Sequence, residues 1–242
     1  MNNASVALPV VERFVSINGE GLRAGRLAAF IRMAGCNLAC SWCDTAWANE
    51  DSCPHETLSV DALVQWVTST GVSCITLTGG EPALQPGLPQ LIAALALSER
   101  WGGEDPRVIE IETNGSVDLA ELHALRQKLA ETAPKQTTLA FTVDCKMPSS
   151  GMAAEMLPEN YALLGKADAV KFVVAGKEDL QSALACIRTY DLDKTCGVLL
   201  SPVFSCIEPA DIVAFMMEHE LTMPRIQLQL HKIIWSHTEK GV

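Results

Sequence analysis

Short apolar, β-branched runs alternate with amphipathic stretches along almost the whole chain, and this alternation constrains the fold more than any other feature. Segments 27–33, 72–78, 108–111, 139–143, 169–174, 197–200 and 226–230 read as strands. Helical spacing of apolar residues covers 59–70, 86–98, 119–130, 177–189 and about 209–219. Ser59 is placed to cap the first of these, and Pro86 stands near the start of the second. Strands separated by helices at roughly 25–35 residues predict a parallel sheet of βα units. About six such units fall short of eight, so the expected α/β architecture is an open, partial parallel β/α barrel. A doubly wound sheet is the alternative. In both, chemistry belongs where strands end and loops begin. Polar clusters do follow the apolar runs: Thr78-Gly79-Gly80-Glu81-Pro82, Glu112-Thr113-Asn114-Gly115, Asp144-Cys145-Lys146 and Ser201-Pro202-Val203.

The chain has 242 residues, 48% of them hydrophobic and 19% charged, with mean hydropathy +0.17. That is enough apolar material for a large core, and it excludes a disordered protein. A single domain over 1–242 is expected. No apolar run is long enough for a membrane-spanning helix, and the first residues lack the pattern of a secretory signal, so a cytoplasmic protein is expected. The net charge is −11, from 29 acidic and 18 basic residues. Such a surface repels phosphate backbones and anionic lipid, which disfavours nucleic acid or a membrane as partner. An anionic small-molecule ligand would need local cations or a metal ion.

Nine cysteines, an odd number, argue against a disulfide framework. Six are scattered and read as packed free thiols. The other three crowd into Cys36-Asn37-Leu38-Ala39-Cys40-Ser41-Trp42-Cys43, a C-x3-C-x2-C loop directly after the first predicted strand. Structural zinc takes four closed ligands, and iron–sulfur cubanes usually take four cysteines. Three thiolates leave one iron of a cubane open, which marks a reactive centre. A zinc site completed by Cys53 or His55 also fits the residues alone.

The cysteine spacing, with the Gly79-Gly80-Glu81 turn, resembles the radical S-adenosylmethionine (SAM) superfamily. Phe14-Val15-Ser16-Ile17-Asn18-Gly19-Glu20-Gly21, Phe30-Ile31-Arg32-Met33-Ala34-Gly35-Cys36 and Asp144-Cys145-Lys146-Met147-Pro148-Ser149-Ser150 are similar to 7-carboxy-7-deazaguanine synthases. So is the tail, Gln227-Leu228-Gln229-Leu230-His231-Lys232-Ile233-Ile234-Trp235 and Lys240-Gly241-Val242. The likeness runs from about residue 10 to the C-terminus. It implies a lyase of queuosine and related deazapurine biosynthesis. In that family, a reduced [4Fe-4S] cluster cleaves SAM and the resulting radical abstracts hydrogen from 6-carboxy-5,6,7,8-tetrahydropterin. Ring contraction, loss of ammonia and re-formation of SAM follow.

The resemblance also implies roles for particular residues. Cys36, Cys40 and Cys43 would hold the cluster and Thr45 a Mg²⁺ ion, which accepts few protein ligands. Trp42, Asp44, Gly80, Glu112, Asn114, Lys146, Ser201, Pro202 and Val203 would contact SAM. Ile17, Asn18, Gly19, Glu20, Arg32, Thr78 and His231 would contact substrate, Arg32 by a two-donor grip on the carboxylate. His231 is expected on the last strand, and the two ends of the chain are expected to act as short substrate-binding extensions. A flavodoxin- or ferredoxin-like electron donor and a homodimer are implied. An activating enzyme for a glycyl-radical protein would share the cysteine spacing and size. A non-catalytic zinc or iron–sulfur module is the third reading.

Overall fold

The computed structural model describes residues 6–50, 52–133, 137–236 and 241. Lys240 and Val242 of the tail motif lie outside the described residues. One nine-stranded sheet organises the chain: β1 (Ala7–Ile17), β2 (Leu27–Met33), β3 (Glu56–Ser59), β4 (Cys74–Gly79), β5 (Arg107–Thr113), β6 (Thr137–Cys145), β7 (Ala169–Val174), β8 (Gly197–Pro202) and β9 (Arg225–Ile226). The order across the sheet is β3-β1-β2-β4-β5-β6-β7-β8-β9. From β2 onward every neighbour is parallel and the order follows the sequence. A doubly wound sheet reverses its strand order at a switch point. None occurs here, so the sheet is singly wound, as an open barrel requires.

Helices α1 (Val60–Thr70), α2 (Leu88–Leu97), α3 (Ala120–Thr132), α4 (Lys177–Thr189), α5 (Leu192–Thr195) and α6 (Pro209–Glu218) occupy the crossovers, and α7 (Leu230–Ile234) follows the last strand. Short 3₁₀ turns replace the helix between β6 and β7. The Ser59 hydroxyl accepts a hydrogen bond from the Ala62 amide and so caps α1, while Gly71 closes that helix at φ 71°.

Period-two alternation gives the sheet two unlike faces. One face carries Ile31, Met33, Ile75, Leu77, Ile109, Ile111, Phe141, Val143, Val170 and Phe172, all buried against helix residues such as Leu63, Leu91, Leu122 and Leu184. The other face carries the intervening Arg32, Thr76, Thr78, Glu110, Glu112, Thr142, Asp144, Lys171 and Ser201. Near its lower end that inner face is apolar, with Ala28, Phe30, Cys74 and Val108 packed together.

The segment between β1 and β2 plugs the lower end of the barrel. Asn18 accepts from the Thr76 hydroxyl at 2.8 Å, and its amide points at the Cys74 sulfur. Arg23 pairs with the buried Glu110 carboxylate, which also accepts from Thr142. Gln227 exchanges two hydrogen bonds with the backbone of Gly21.

Two expectations need correction. First, β1 and β3 are strands, paired antiparallel beside β2, where no strand was expected. Pro9 has no N–H to give the ladder, but its carbonyl accepts from Ala34 N and the register shifts between Val10 and Glu12. Second, the strand expected at 226–230 ends at Ile226 and gives way to α7. Gln227 is drawn to Gly21, and the Leu230 amide bonds the Gly19 carbonyl, which lifts the chain off the sheet. His231 therefore sits on a helix. Among the described residues, no helix is long and apolar enough to cross a membrane.

The cap of α1 yields a local stability prediction. Ser59→Ala should cost about 1 kcal/mol and lower the melting temperature by about 2–4 °C. Urea and thermal unfolding read this directly. An unchanged midpoint would show that the helix start is held by packing alone.

Candidate active site

The loop leaving β2 folds back through a 3₁₀ turn, Ala46–Ala48, so that its three cysteines border one cavity at the C-terminal mouth of the barrel. The cavity measures about 690 Å³. The loop is tied to the sheet by backbone bonds: Gly35 N to Ala48 O, Gly80 N to Met33 O and Glu81 N to Gly35 O. Gly79 has φ 144°, and a Cβ there would collide with the Met33 backbone. A Cβ on Gly80 would collide with the Gly35 carbonyl. The glycine pair is thus demanded by the cysteine loop it touches, as well as by any ligand that approaches it.

Several donors converge on the sulfurs. Leu38 N and Asn114 Nδ2 point at Cys36 Sγ, at 3.4 and 3.6 Å. Asn49 Nδ2 lies 3.5 Å and Thr45 Oγ1 3.6 Å from Cys43 Sγ. Burial pushes the Cys36 and Cys40 thiols up, whereas a bound metal ion removes such protons outright. Donors facing a thiol that loses its proton suit a coordinated thiolate. The two groups that could close a zinc site look elsewhere: Cys53 is buried with its Sγ toward Ala48 O, and His55 Nδ1 meets Cys53 O. Neither borders the cavity. No three His, Cys, Asp or Glu side chains among the described residues converge tightly enough to hold a single metal ion. Three thiols bordering one cavity, with Cys53 and His55 outside it, suit a polynuclear cluster with an open corner.

Glu81 organises the facing loop. Its carboxylate accepts from Asn114 N at 2.6 Å, Thr113 Oγ1 at 2.8 Å and Ala83 N at 2.9 Å. Full burial pushes it up to about 7 despite those donors. The effect is to fix Asn114 against Cys36 and Asn37.

The rest of the wall is a chain of charges. Glu20 pairs with Lys171 at 3.2 Å, Lys171 with Asp144 at 3.2 Å, and Asp144 with Lys146 at 2.7 Å. Burial disfavours each charge, yet the neighbours outweigh it: Asp144 is held below the carboxylate range, Lys146 above the lysine range and Lys171 well above it. Lys146 also lies 5.5 Å over the Trp42 ring. Desolvation pushes the carboxyl of half-buried Glu112 up to about 7; Lys171 opposes the rise, while Glu110 and Glu20 add to it. Arg32 donates through Nε to Glu12 at 2.7 Å and lies over Trp47. That bond orients the guanidinium while using one of its five donors.

The expected residues group unevenly. Ile17, Gly19, Glu20, Arg32, Trp42, Asp44, Thr45, Thr78, Gly80, Glu112, Asn114, Lys146, Val203 and His231 border the same cavity as the three cysteines. Ser201 and Pro202 do not, although the Ser201 hydroxyl reaches Glu20 at 3.3 Å. Asn18 is turned away from the cavity and buried in the plug below it, so its side chain makes no wall. Gly19 and His231 meet directly: a Cβ on Gly19 would collide with the imidazole. Burial holds that imidazole below its ordinary range.

Sequence reasoning passed over Lys171, Asp144, Glu12 and Glu81 as site residues. The signal for the first two was a charge at an alternate position in an otherwise apolar strand, Ala169–Val174 and Thr137–Cys145. Glu12 was hidden because β1 was not recognised.

A partial barrel whose C-terminal mouth gathers three thiols, a Gly-Gly-Glu turn and a charged wall defines a radical SAM enzyme. Residues 30–143 match the family model of the Radical SAM superfamily. The chain is 42% identical over 233 residues to the 7-carboxy-7-deazaguanine synthase of Clostridium acetobutylicum, covering 96% of this chain and 98% of that protein. It is 33% identical over 242 residues to the enzyme of that name from Chlorobaculum tepidum, covering 97% of each. The crystal structure of QueE from Escherichia coli shares the fold, with TM-score 0.64 and 19% identity over 92% of this chain and 94% of that one. The chain belongs to the 7-carboxy-7-deazaguanine synthase family.

Glu112 sets a pH dependence. Its folded pKa lies above the ordinary 4.5, so its contribution to stability is fully present below that pH and is lost as pH rises through about 7. The cluster-free protein should lose stability between about pH 5 and pH 8. Glu112→Gln should flatten that slope by up to about 3 kcal/mol, at about 1.4 kcal/mol per pKa unit. Urea midpoints across the range measure it, and parallel slopes for both proteins would show that Glu112 titrates normally.

Proposed function

We propose that this chain converts 6-carboxy-5,6,7,8-tetrahydropterin to 7-carboxy-7-deazaguanine with loss of ammonia. The observation that carries the reading is one cavity bordered by the three thiols, the Gly79-Gly80 pair and an arginine already oriented by a carboxylate. Cys36, Cys40 and Cys43 would hold a [4Fe-4S] cluster with one iron open. With SAM at that iron the pair supplies a carbon-centred radical able to abstract hydrogen.

The protein's own side chains bind, orient and exclude water. Arg32, steadied by Glu12, takes the substrate carboxylate through its remaining donors. Glu20, fixed by Lys171 and Ser201, accepts N–H bonds from the pterin's guanidine-like edge. Ile17, Gly19, Thr78 and His231 complete that end of the pocket. Trp42, Asp44, Gly80, Glu112, Asn114, Lys146 and Val203 are the SAM side, with Ser201 and Pro202 behind them. Thr45 offers a hydroxyl to Mg²⁺ while its proton faces the Cys43 sulfur. Lys232 bridges to Asp44 at 3.2 Å and draws α7 across the mouth, which keeps bulk water from the reacting centre.

The electrostatics answer the problem set by the net charge of −11. The cavity wall holds four cations, Arg32, Lys146, Lys171 and Lys232, against five carboxyls, Glu12, Glu20, Asp44, Glu112 and Asp144. Glu112 is driven toward its neutral form. The pocket is therefore near neutrality inside an acidic protein, and a carboxylate substrate with Mg²⁺ is admissible there.

The same reading places the enzyme in the cytoplasm as one domain over 1–242, fed by a flavodoxin- or ferredoxin-like donor. Exposed Met217, Met223, Ile233 and Ile234 near the C-terminal edge support a homodimer. The glycyl-radical-activase reading is disfavoured: the barrel is plugged below by residues 18–26 and crossed above by α7, which suits a small molecule better than a protein loop.

Anaerobically reconstituted protein with SAM, a reductant and the tetrahydropterin carboxylate should give 7-carboxy-7-deazaguanine by mass analysis. Cys40→Ala should abolish SAM cleavage while leaving unfolding unchanged. Arg32→Lys should raise the KM for substrate at least about tenfold with SAM affinity kept, since the bidentate grip is lost. No deazapurine from wild type, or equal loss of substrate and SAM affinity in Arg32→Lys, would overturn the assignment.

A further inference from the structure

The stretch between the second and third cysteines of the loop is clamped by groups that lie outside the cavity. Ser41 donates its backbone N–H to Ser150 O at 3.1 Å and its hydroxyl to Ser149 O at 2.7 Å. Trp42 donates its indole Nε1–H to Ser149 Oγ at 3.1 Å. Ser149 and Ser150 belong to a 3₁₀ turn, Pro148–Ser150, that follows β6. The Ser149 hydroxyl in turn lies 2.5 Å from Oδ2 of Asp179, a buried residue in the first turn of α4. Neither Ser149 nor Asp179 borders the cavity. Trp42 does, and so does Lys146, whose ammonium lies 5.5 Å over the indole.

Counting protons fixes the direction of this chain. Asp179 accepts from Ser149 N at 3.0 Å through Oδ1 and from Ala175 N at 2.7 Å through Oδ2, so both of its oxygens are acceptors. The Ser149 hydroxyl has one proton, and that proton goes to Asp179. The lone pairs of Oγ are left for the indole, which can only donate. A hydroxyl that donates to a carboxylate is the better acceptor, because hydrogen bonds in series polarise one another. Nε1 is the one polar atom of the Trp42 side chain, so this bond selects which way the ring turns between Cys40 and Cys43.

Resting on the reading of Trp42 and Lys146 as part of the SAM side, we propose that Ser149 and Asp179 are positioning residues for SAM. They touch no ligand. Asp179 orients the Ser149 hydroxyl, Ser149 turns the Trp42 indole, and the face of that ring places the Lys146 ammonium. Asp144 holds the same ammonium at 2.7 Å. The start of α4 is thereby coupled to the charged wall of the cavity. Without the bond to Ser149 the ring samples more rotamers, and SAM binding must order it, at a cost in affinity.

Losing the Asp179 carboxylate would also strip the acceptors from two backbone amides, so the test takes Ser149, which is exposed and can be shortened without opening the core. The cluster-free full chain, labelled with ¹⁵N-tryptophan, carries five tryptophans and gives one indole signal for each. Trp42→Phe identifies the Trp42 signal by deleting it. Ser149→Ala should move that signal further than any other indole signal, while Ser149→Thr, which keeps the hydroxyl, should leave it in place. SAM affinity is measured by equilibrium dialysis on the anaerobically reconstituted chain. Ser149→Ala should bind SAM about three- to tenfold more weakly, the range expected for one hydrogen bond, and Ser149→Thr should stay within about twofold of wild type. In a Trp42→Phe background, which has no indole N–H, adding Ser149→Ala should change the affinity by less than about twofold.

A Trp42 signal that stays in place in Ser149→Ala would overturn the proposal. So would unchanged SAM affinity in that variant, or the same loss with and without the indole N–H, which would make Ser149 part of the general scaffold. Absence of SAM binding by the reconstituted wild type would overturn the reading of this wall as a SAM site, and this role with it.

Discussion

Two backbone turns approach so closely at the barrel mouth that neither tolerates a side chain between them. Gly79 pairs with Met33 in the sheet register, and Gly80 rests on the Gly35 carbonyl just beyond. The cysteine loop starts one residue after that contact and returns to it through Gly35 N and Ala48 O. The thiols are therefore positioned by the parallel pairing of β2 and β4, before any metal is present. A loop fixed at both ends loses less conformational entropy when a cluster forms. The Glu81 carboxylate extends the same frame to β5, because its two oxygens bind Thr113, Asn114 and Ala83 together.

The inner face of the sheet explains how so many charges survive out of water. An isolated buried ion is costly, and a buried pair breaks even only with good geometry and further hydrogen bonds. Here Glu20, Lys171, Asp144 and Lys146 alternate in sign, so each interior ion has an opposite neighbour on either side. Glu112 stands next to this chain without a cation of its own, and it is the carboxyl that burial drives toward neutrality. The same desolvation that penalises these groups makes their fields strong where a ligand would sit. A rigid, paired wall also costs no reorganisation when charge moves nearby.

The sheet was legible because its strands are short apolar runs: 27–33 and 169–174 carry boundaries that match β2 and β7, and the helical spacing over 177–189 matches α4. The cysteine loop and the Gly-Gly-Glu turn were legible for a different reason, since each needs particular residue types in a fixed order. What escaped was pairing that local pattern does not encode. β1 contains Pro9, which cannot donate to a ladder, and its pairing with β2 and β3 on either side is what makes it a strand. Residues 226–230 alternate like a strand but are captured by the plug, through Gln227 and Leu230. Asn18 sits among motif residues that border the cavity, yet its amide is spent on Thr76 and Cys74. A motif fixes which residues come near a site, while hydrogen-bond competition decides which way each points.

An open barrel has a gap that a closed one lacks, and this chain fills it with its own ends. The segment after β1 enters from below and the segment after β9 crosses above, and they touch where Gly19 lies under the His231 ring and Leu230 N bonds Gly19 O. Neither end can take its place without the other: Gly19 has room for the imidazole only because it lacks a Cβ, and α7 starts where Gly19 supplies an acceptor. The ligand cavity is bounded by a contact between residues more than two hundred positions apart, which closes only when the whole sheet has wound. Such a contact forms late, because its loop-closure entropy is met after the local βα units are in place. The geometry that would recognise a substrate is thus the last to be completed, and it depends on every strand between β1 and β9 keeping its register.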